Sequence, residues 1–417
     1  MNDKPAILGG TPVHDQRQWP RWPQWDERER DGLLAVLEHG GWWTGDGDVA
    51  QGFADAFARF HGARHALPFT NGTHTLEAAL AACEVGDGDE VIVPGITFFA
   101  SASAALAVNA TPVLVDVDAG SLNIDPAAAE AAITDRTRAI MAVHVAGAAA
   151  DLDALTTLCA RHELHLIEDC AHAHGTTWRG RGVGSYGSFG SFSMQRSKLM
   201  TAGEGGVLIT NDAALQERAW SYWNCGRIPG AHWYDHRQYG SNMRMTEWQG
   251  AVLVAQLERF PEQHRVRNAN AVALIEALEQ IPGVRCQTRD PRMESQGNYC
   301  FVFHVDLALF SNMSLRGFEA ALAAEGVPLG VSYPSLSNLD VFRHNAFEPR
   351  MRPGLRAPQR DYSTLSLPVA EHAAASTVWM EHRVLLADRD EVLKVASAVR
   401  RIQVNAPAIT ANELAAA

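Results

Sequence analysis

Short apolar runs alternate with helical segments between residues 66 and 210. The runs are near-continuous stretches of Val, Ile, Leu and Ala, and they begin at Val91, Pro112, Ala139 and Leu164. A strand that is apolar at every position is buried on both faces, as in parallel sheets that are covered by helices. The pattern therefore predicts an α/β fold, with a mostly parallel sheet and helices on both of its faces.

The pattern changes beyond Pro261, which separates two predicted helices at 246–259 and 266–280. The elements predicted after it are a strand pair near 299–305 and 327–332 and helices at 315–325 and 388–402. This mixture is typical of a smaller α+β domain. The predicted organisation is an N-terminal arm (1–47), a large domain (48–260), a small C-terminal domain (261–404) and an alanine-rich, disordered tail (405–417).

Composition and charge narrow the class of protein. The net charge of -13 argues against nucleic acid or an anionic membrane as a partner. The 6 cysteines include no CxxC pair, so neither a zinc site nor a disulfide framework is predicted. We expect a cytoplasmic protein, because the chain has no signal-peptide pattern and no apolar run of the ~18–20 residues that span a membrane.

One lysine stands apart in the middle of the chain. Of the 35 Lys and Arg residues only three are lysine, and the other two, Lys4 and Lys394, lie near the termini. Arginine stays protonated at working pH, whereas a lysine can become an amine nucleophile when burial lowers its pKa. Period-two alternation in the strand before Lys198 predicts that Ser193 and Gln195 converge with it on one side of the sheet.

Other candidate residues stand at strand ends, where ligands bind in parallel sheets. Gly72 and Thr73 open a helix, whose N-terminus favours a phosphate, although a plain N-cap is the alternative. Phe98 could stack on a planar ring or belong to the core. Asp169 ends a buried strand and would need a cationic partner there. His172 has a second histidine two residues later, but two such residues do not make a metal site, so no metal is predicted.

A phosphate cradle, a stacking aromatic ring, a buried carboxylate and a solitary lysine together describe a pocket for pyridoxal phosphate. In such a pocket the lysine bonds covalently to the cofactor. The carboxylate keeps the pyridine nitrogen protonated, so that the ring withdraws electrons from the substrate. The sequence therefore predicts an enzyme with this cofactor.

The motifs that carry a family resemblance are Phe192-Ser193-x-Gln195-x-x-Lys198-x-x-Thr201-x-Gly203-Glu204-Gly-Gly and Glu168-Asp169-x-Ala171-His172-x-x-Gly175. With them the chain resembles, over about residues 18–404, the DegT/StrS family of sugar and cyclitol aminotransferases, which have fold type I. The resemblance implies these roles: Lys198 bonded to the cofactor, Asp169 at its pyridine nitrogen, His172 at its ring hydroxyl, Phe98 on its ring face, and Gly72, Thr73 and Ser193 at its phosphate.

The segment from Gly240 to Gln249 is similar to the family segment whose asparagine reaches the phosphate of the neighbouring subunit. In this chain that residue is Asn242. The resemblance therefore implies a homodimer with shared active sites.

The resemblance also limits the class of substrate that could accept the amino group. Gln195 stands where many nucleotide-sugar aminotransferases have histidine. The Trp42-Trp43-Thr44-Gly45 turn and the segment 381–387 resemble the branch that aminates scyllo-inosose or its deoxy relative, with L-glutamine as donor, in aminoglycoside antibiotic biosynthesis. This implies that Gln195, Trp43 and His382 contact a polyhydroxylated ring ketone. A packed histidine in the small domain is the alternative for His382.

Three alternatives stay open. The 3-amino-5-hydroxybenzoate synthases share the double tryptophan and the run Asn71-Gly72-Thr73-His74, which would imply a dehydratase or aromatising reaction on an amino-dehydroshikimate. The second alternative is that the amino group is transferred to a nucleotide-sugar ketone. The third is a regulatory protein that binds the cofactor without turnover, and the presence of both Lys198 and Asp169 argues against it.

Overall fold

A seven-stranded sheet forms the centre of the larger part of the molecule in a computed structural model, which describes residues 4–347 and 360–416. The strands of this part are β1 His65–Phe69, β2 Glu90–Pro94, β3 Thr111–Val115, β4 Thr137–Val143, β5 His165–Asp169, β6 Thr177–Trp178, β7 Arg181–Gly182, β8 Phe189–Ser193 and β9 Gly206–Thr210. The sheet order is β1-β9-β8-β5-β4-β2-β3, and β6 pairs only with β7. β9 is antiparallel to both of its neighbours, whereas the pairs from β8 to β3 are parallel. The mostly parallel sheet is thus confirmed.

Helices cover both faces of this sheet. The helices of this part of the molecule are α1 Glu27–His39, α2 Val49–His61, α3 Gly72–Ala82, α4 Ala100–Ala107, α5 Pro126–Ala131, α6 Leu152–His162 and α7 Ala213–Trp223. Along β2, Val91 and Val93 join one apolar cluster with α3 and α4, while Ile92 joins the other with α2 and α6. The strand is apolar at every position because each of its faces has its own core.

A three-stranded antiparallel sheet organises the smaller part of the molecule. Its elements are α8 Glu247–Leu278, β10 Val284–Cys286, β11 Cys300–Val305, α9 Leu315–Ala324, α10 Asp340–Arg343, α11 Pro368–Ser376, β12 Thr377–Glu381, α12 Arg389–Val404 and α13 Ala406–Ala416. The sheet order is β10-β11-β12, and a third apolar cluster lies between this sheet and its helices. An α+β arrangement accompanies the larger sheet, so the predicted fold class is confirmed.

The helix α8 differs from the prediction. It runs without interruption for 32 residues, with Pro261 inside it, where two helices and a domain boundary were predicted. A proline in a helix removes one backbone hydrogen bond. The buried side chains of α8 lie on both sides of the proline and pack against α1, α2 and α12, and this packing compensates the loss. The division into domains at residue 261 therefore stays a proposal, since one helix belongs to both parts.

The N-terminal arm and the C-terminal tail each contain a helix. The arm contains helix α1, which begins with a capping box in which Asp26 and Glu29 satisfy each other's backbone N–H groups. The tail forms helix α13 where disorder was predicted, and Ala406 and Ile409 are buried in the third apolar cluster.

The second strand that was predicted near 327–332 contributes a single bridge, from Leu329 to Met380, and β12 takes its place in the sheet. Among the described residues, no helix is both long and apolar enough to cross a membrane.

Candidate active site

A cavity of about 1240 Å³ lies at the carboxyl edge of the large sheet. The residues predicted from sequence that line it are Gly72, Thr73, Phe98, Asp169, His172, Ser193, Gln195, Lys198 and His382. The smaller part of the molecule covers the cavity with Tyr299, Tyr333 and Glu381. Most of the candidate residues therefore lie together, although they come from distant positions in the sequence.

Lys198 lies on the tight turn between β8 and β9. Its backbone N–H donates to the carbonyl of Gln195 at 2.8 Å, and the Gln195 side chain accepts from the N–H and the hydroxyl of Ser197, each at 2.8 Å. Lys198 is buried, and burial lowers its pKa to about 8, against the opposing charge of Asp169. Its Nζ lies 4.2 Å from the centre of the Tyr299 ring. The turn thus presents an amine that exchanges a proton near neutral pH.

Asp169 ends β5 beside this amine. Its Oδ2 accepts a hydrogen bond from the Ser101 hydroxyl at 2.7 Å, and its Oδ1 accepts from the N–H of Ala171 at 3.2 Å. The hydroxyls of Ser101 and Thr97 lie 2.7 Å apart. These bonds fix the carboxylate at the cavity wall, where it can balance a positive charge on a bound ring.

The preceding residue, Glu168, has a different role. It is fully buried, and it accepts hydrogen bonds from the N–H groups of Gly184, Tyr186 and Gly187 and contacts His144 Nε2 at 3.2 Å. Possible ligand atoms of His144, Glu168 and Cys170 lie within 4.8 Å of one another. The carboxylate is already committed to these N–H groups, so the cluster braces a turn rather than offering free metal ligands.

The N-terminus of α3 faces the end of β8 across a short distance. A Cβ on Gly72 would lie 2.8 Å from the Cβ of Ser193, so only glycine allows this approach. Thr73 and Ser193 add hydroxyls at the same wall of the cavity. A helix N-terminus with two hydroxyls fits a phosphate group. Together with the amine and the carboxylate, the site fits a ligand that has a phosphate and a planar, cationic ring.

His172 lies between the two tyrosines of the small part. Its ring stacks on Tyr299 with centres 4.1 Å apart, and its Nε2 is 3.0 Å from the Tyr333 hydroxyl. Its Nδ1 accepts from the N–H of Ala146 at 3.3 Å, which places the ring proton on Nε2. Burial, with the charge of Lys198, holds the pKa of His172 well below its usual range, so the ring is neutral.

Phe98 has a different environment, because its ring is 59% exposed and therefore free to stack on a ligand. Tyr299 and Tyr333 were not predicted. Both lie in the smaller part of the molecule, and no local pattern marks either of them as facing the cavity.

His382 follows β12 and packs on the lysine turn. Its Nε2 is 3.2 Å from the carbonyl of Ser197, and its ring meets the Trp22 ring edge-on with centres 4.5 Å apart. It is buried but also lines the cavity. Both interpretations of His382, a packed histidine and a substrate contact, are therefore compatible with its position.

Trp43 and Asn242 do not line the cavity. Trp43 meets Trp233 edge-on at 5.7 Å, and the Arg244 guanidinium lies 5.4 Å from a Trp43 ring centre. Asn242 is exposed and forms only a backbone bridge to Asn224. Within one chain, the structure does not bring these two predicted residues to the site.

Comparison with known proteins places this architecture among enzymes. Residues 23–400 match the model of the DegT/DnrJ/EryC1/StrS aminotransferase family. The chain is 40% identical to L-glutamine:2-deoxy-scyllo-inosose aminotransferase of Micromonospora echinospora, over 96% of this chain and 98% of the relative. It is 41% identical to L-glutamine:scyllo-inosose aminotransferase of Streptomyces griseus, with the same two shares.

A second kind of relative is equally similar. 3-Amino-5-hydroxybenzoate synthase of Amycolatopsis mediterranei (strain S699) is 40% identical over 90% of this chain and 95% of the relative. The crystal structure of a 3-amino-5-hydroxybenzoic acid synthase superposes with a TM-score of 0.84, at 39% identity, over 93% of this chain and 99% of the other.

Proposed function

This chain belongs to the DegT/DnrJ/EryC1/StrS aminotransferase family, and we propose that it transfers the amino group of L-glutamine to a cyclitol ketone of the scyllo-inosose type, with pyridoxal phosphate as cofactor. The product would be an amino-cyclitol of the kind used in aminoglycoside antibiotics. The observation that carries the proposal is the presence of Lys198 and Asp169 in one cavity, with a lysine pKa of about 8.

The cofactor would be held by residues that line one side of the cavity. Gly72, Thr73 and Ser193 would hold the phosphate, Asp169 the pyridine nitrogen, His172 the ring hydroxyl and Phe98 the ring face, and Lys198 would bond to it. When bound, the cofactor withdraws electrons from the amino-bearing carbon of the substrate. The hydrogen bond from Ser101 keeps the Asp169 carboxylate oriented toward the ring.

Lys198 supplies the proton chemistry. A base whose pKa lies near the working pH can take up a proton and return it efficiently. The Lys198 Nζ, with its pKa of about 8, would take the proton from the amino-bearing carbon of the donor and deliver it to the cofactor. The reverse transfer would complete the amination of the ketone. The ring of Tyr299 lies against this amine, with its centre 4.2 Å from the Nζ.

The acceptor side of the cavity suits a neutral, polyhydroxylated ring. Tyr299, Tyr333, Gln195 and His382 offer hydroxyl, amide and imidazole groups there. Such groups recognise hydroxyls through hydrogen bonds and need no charged clamp. The two cyclitol aminotransferases at 40% and 41% identity support this acceptor class.

A second candidate reaction is that of 3-amino-5-hydroxybenzoate synthase, which the 40% identical relative favours. Product analysis separates the candidates. The purified enzyme would receive L-glutamine with scyllo-inosose, 2-deoxy-scyllo-inosose, a nucleotide ketohexose or an amino-dehydroshikimate in parallel, followed by mass spectrometry. We expect an amino-cyclitol from one of the first two ketones. An aromatic product, or amination of the nucleotide sugar alone, would refute the proposal.

We also propose that two copies share their active sites. Asn242 and Trp43 lie outside the cavity of their own chain, and the adjoining surface exposes Trp233, Tyr234 and Tyr239, whose side chains would be buried by a second copy. Lys198→Ala and Asn242→Ala would then complement each other. In a random mixture, each mixed dimer has one intact site, so about a quarter of the wild-type activity returns. No recovery after subunit exchange would contradict shared sites.

A further inference from the structure

Arg267 is a buried cation without a partner. It lies on α8 and is fully buried, with 0% exposure. Its Nε and both terminal nitrogens make no hydrogen bond to any of the described residues, and no carboxylate of that part of the chain pairs with it. Burial lowers its pKa to about 9, which still leaves the guanidinium charged at neutral pH. An uncompensated buried charge costs several kcal/mol, so a counter-charge is needed.

The groups around Arg267 provide only part of this compensation. The guanidinium carbon lies 5.3 Å from a ring centre of Trp22, a distance at which the ring face attracts a cation weakly. Trp22 and His382 line the substrate cavity and contact each other, whereas Arg267 is not among the residues that line it. The unpaired charge is therefore enclosed and does not face the substrate.

A second buried group is near enough for the charge of Arg267 to contribute, after burial and other charges, to lowering its pKa. His174 is fully buried, and neither of its ring nitrogens makes a hydrogen bond of ordinary geometry. Helix α8 packs directly on the turn that carries it, since a Cβ on Gly175 would lie 3.0 Å from His264, one helical turn before Arg267. A neutral imidazole carries one N–H in either tautomer. His174 therefore adds one N–H donor on the turn that packs against α8.

We propose that Arg267 and His174 bind a small inorganic anion of halide size, in an internal site between α8 and the turn at 174–175. The anion neutralises the guanidinium and accepts the hydrogen bonds that the protein leaves open. It is separate from the phosphate and from the substrates, which bind in the cavity. The site stabilises the packing of α8 behind the lysine turn.

Bromide provides a direct test, because it replaces chloride and scatters anomalously. Crystals of the full-length holoenzyme would be grown with sodium bromide in place of sodium chloride and measured at the bromine edge. We expect an anomalous peak within about 3.5 Å of the guanidinium nitrogens of Arg267. A water molecule there, or no peak while surface sites are occupied, would overturn the proposal.

Thermal unfolding provides the second test. An anion that binds only the folded state raises the unfolding temperature in a saturable way. Bromide should therefore raise that temperature by a few degrees relative to gluconate at equal ionic strength, and Arg267→Met should abolish the difference. Arg289→Met is the control, since Arg289 is a half-buried arginine with one unpartnered nitrogen and should leave the bromide effect unchanged. An equal response in wild type and Arg267→Met would contradict the site. If Arg267→Met does not fold, the bromide crystals decide.

Discussion

The cavity around Lys198 and the outer surface around Tyr234 are built in opposite ways. In the cavity, Lys198 and Asp169 are buried and held by hydrogen bonds from their own chain. On the outer surface, Trp233, Tyr234 and Tyr239 are 48%, 76% and 75% exposed. A single chain thus holds Lys198 and Asp169 in place by itself but leaves a large aromatic surface exposed. The residues that carry the chemistry thus lie in the cavity, whereas the exposed aromatic rings form the surface for which we propose contact with a second copy.

The largest effect should come from the cavity. Lys198→Ala removes the group that takes up and returns the proton, and we expect the rate of amination to fall by about 10³-fold or more. Lys394→Ala is the control, because Lys394 is paired with Glu391 on the surface. Initial rates with L-glutamine and scyllo-inosose measure the effect. Full turnover by Lys198→Ala would disprove the role of this lysine. The association of subunits should be the same in both variants.

The adjacent carboxylates of β5 allow a sharper separation of catalysis from folding. Asp169→Asn keeps the shape of the side chain but removes the charge, so activity should fall by about 10²-fold with little change in stability. Glu168→Gln replaces an oxygen that accepts buried N–H groups by a donor, and should lower the free energy of unfolding by about 3 kcal/mol. Urea unfolding and initial rates would be measured for both. Similar profiles for the two variants would refute the division of roles.

Acid should weaken the fold through two buried histidines, His61 and His264, and not through the outer surface. Burial lowers the pKa of His61 to about 3 and that of His264 to about 4. Between the unfolded value of about 6.5 and these values, the unfolded chain binds protons that the native chain does not, so stability falls as pH falls below about 6.5. For His61 the loss at pH 5 is about 2 kcal/mol.

The test compares urea unfolding at pH 7 and pH 5 for wild type and His61→Phe. The phenylalanine variant should lose less stability on acidification, by about the 2 kcal/mol that His61 contributes. Tyr234→Ser, on the outer surface, should keep the wild-type dependence on pH. An identical pH dependence in wild type and His61→Phe would show that His61 is protonated in the folded protein.

The large sheet could be predicted because local sequence records its burial. Its strands are short and lie in a core on both faces, so the apolar runs at Val91 and Ala139 mark them directly. The candidates Asp169 and Lys198 followed from the same pattern, since the ends of parallel strands meet at one edge. These are properties of segments a few residues long.

Other features depend on contacts between distant segments. Pro261 predicts a break, and only the packing of α8 against other helices shows why none occurs. Tyr299 and Tyr333 reach the cavity because the smaller part of the molecule covers the sheet edge, which no local pattern records. Helix α1 did have a local signal, the capping box of Asp26 and Glu29, although residues 1–47 were predicted only as an N-terminal arm.

The smallest effect should come from substitutions on the outer surface, which test whether its exposed rings contribute to the association of subunits. Tyr234→Ser with Tyr239→Ser removes two exposed rings without touching the apolar cores. Rings that are buried at an interface contribute about 1 kcal/mol or more each, so the dissociation constant of the proposed dimer should rise by about tenfold or more. Sedimentation equilibrium measures this change, and urea unfolding at fixed protein concentration monitors the fold. Leu309→Ser, an exposed apolar residue of the smaller part, is the matched control. Unchanged association in the tyrosine variant would mean that these rings lie outside the proposed contact between subunits. Lost activity at protein concentrations that preserve the dimer would mean that the outer surface also shapes the active site.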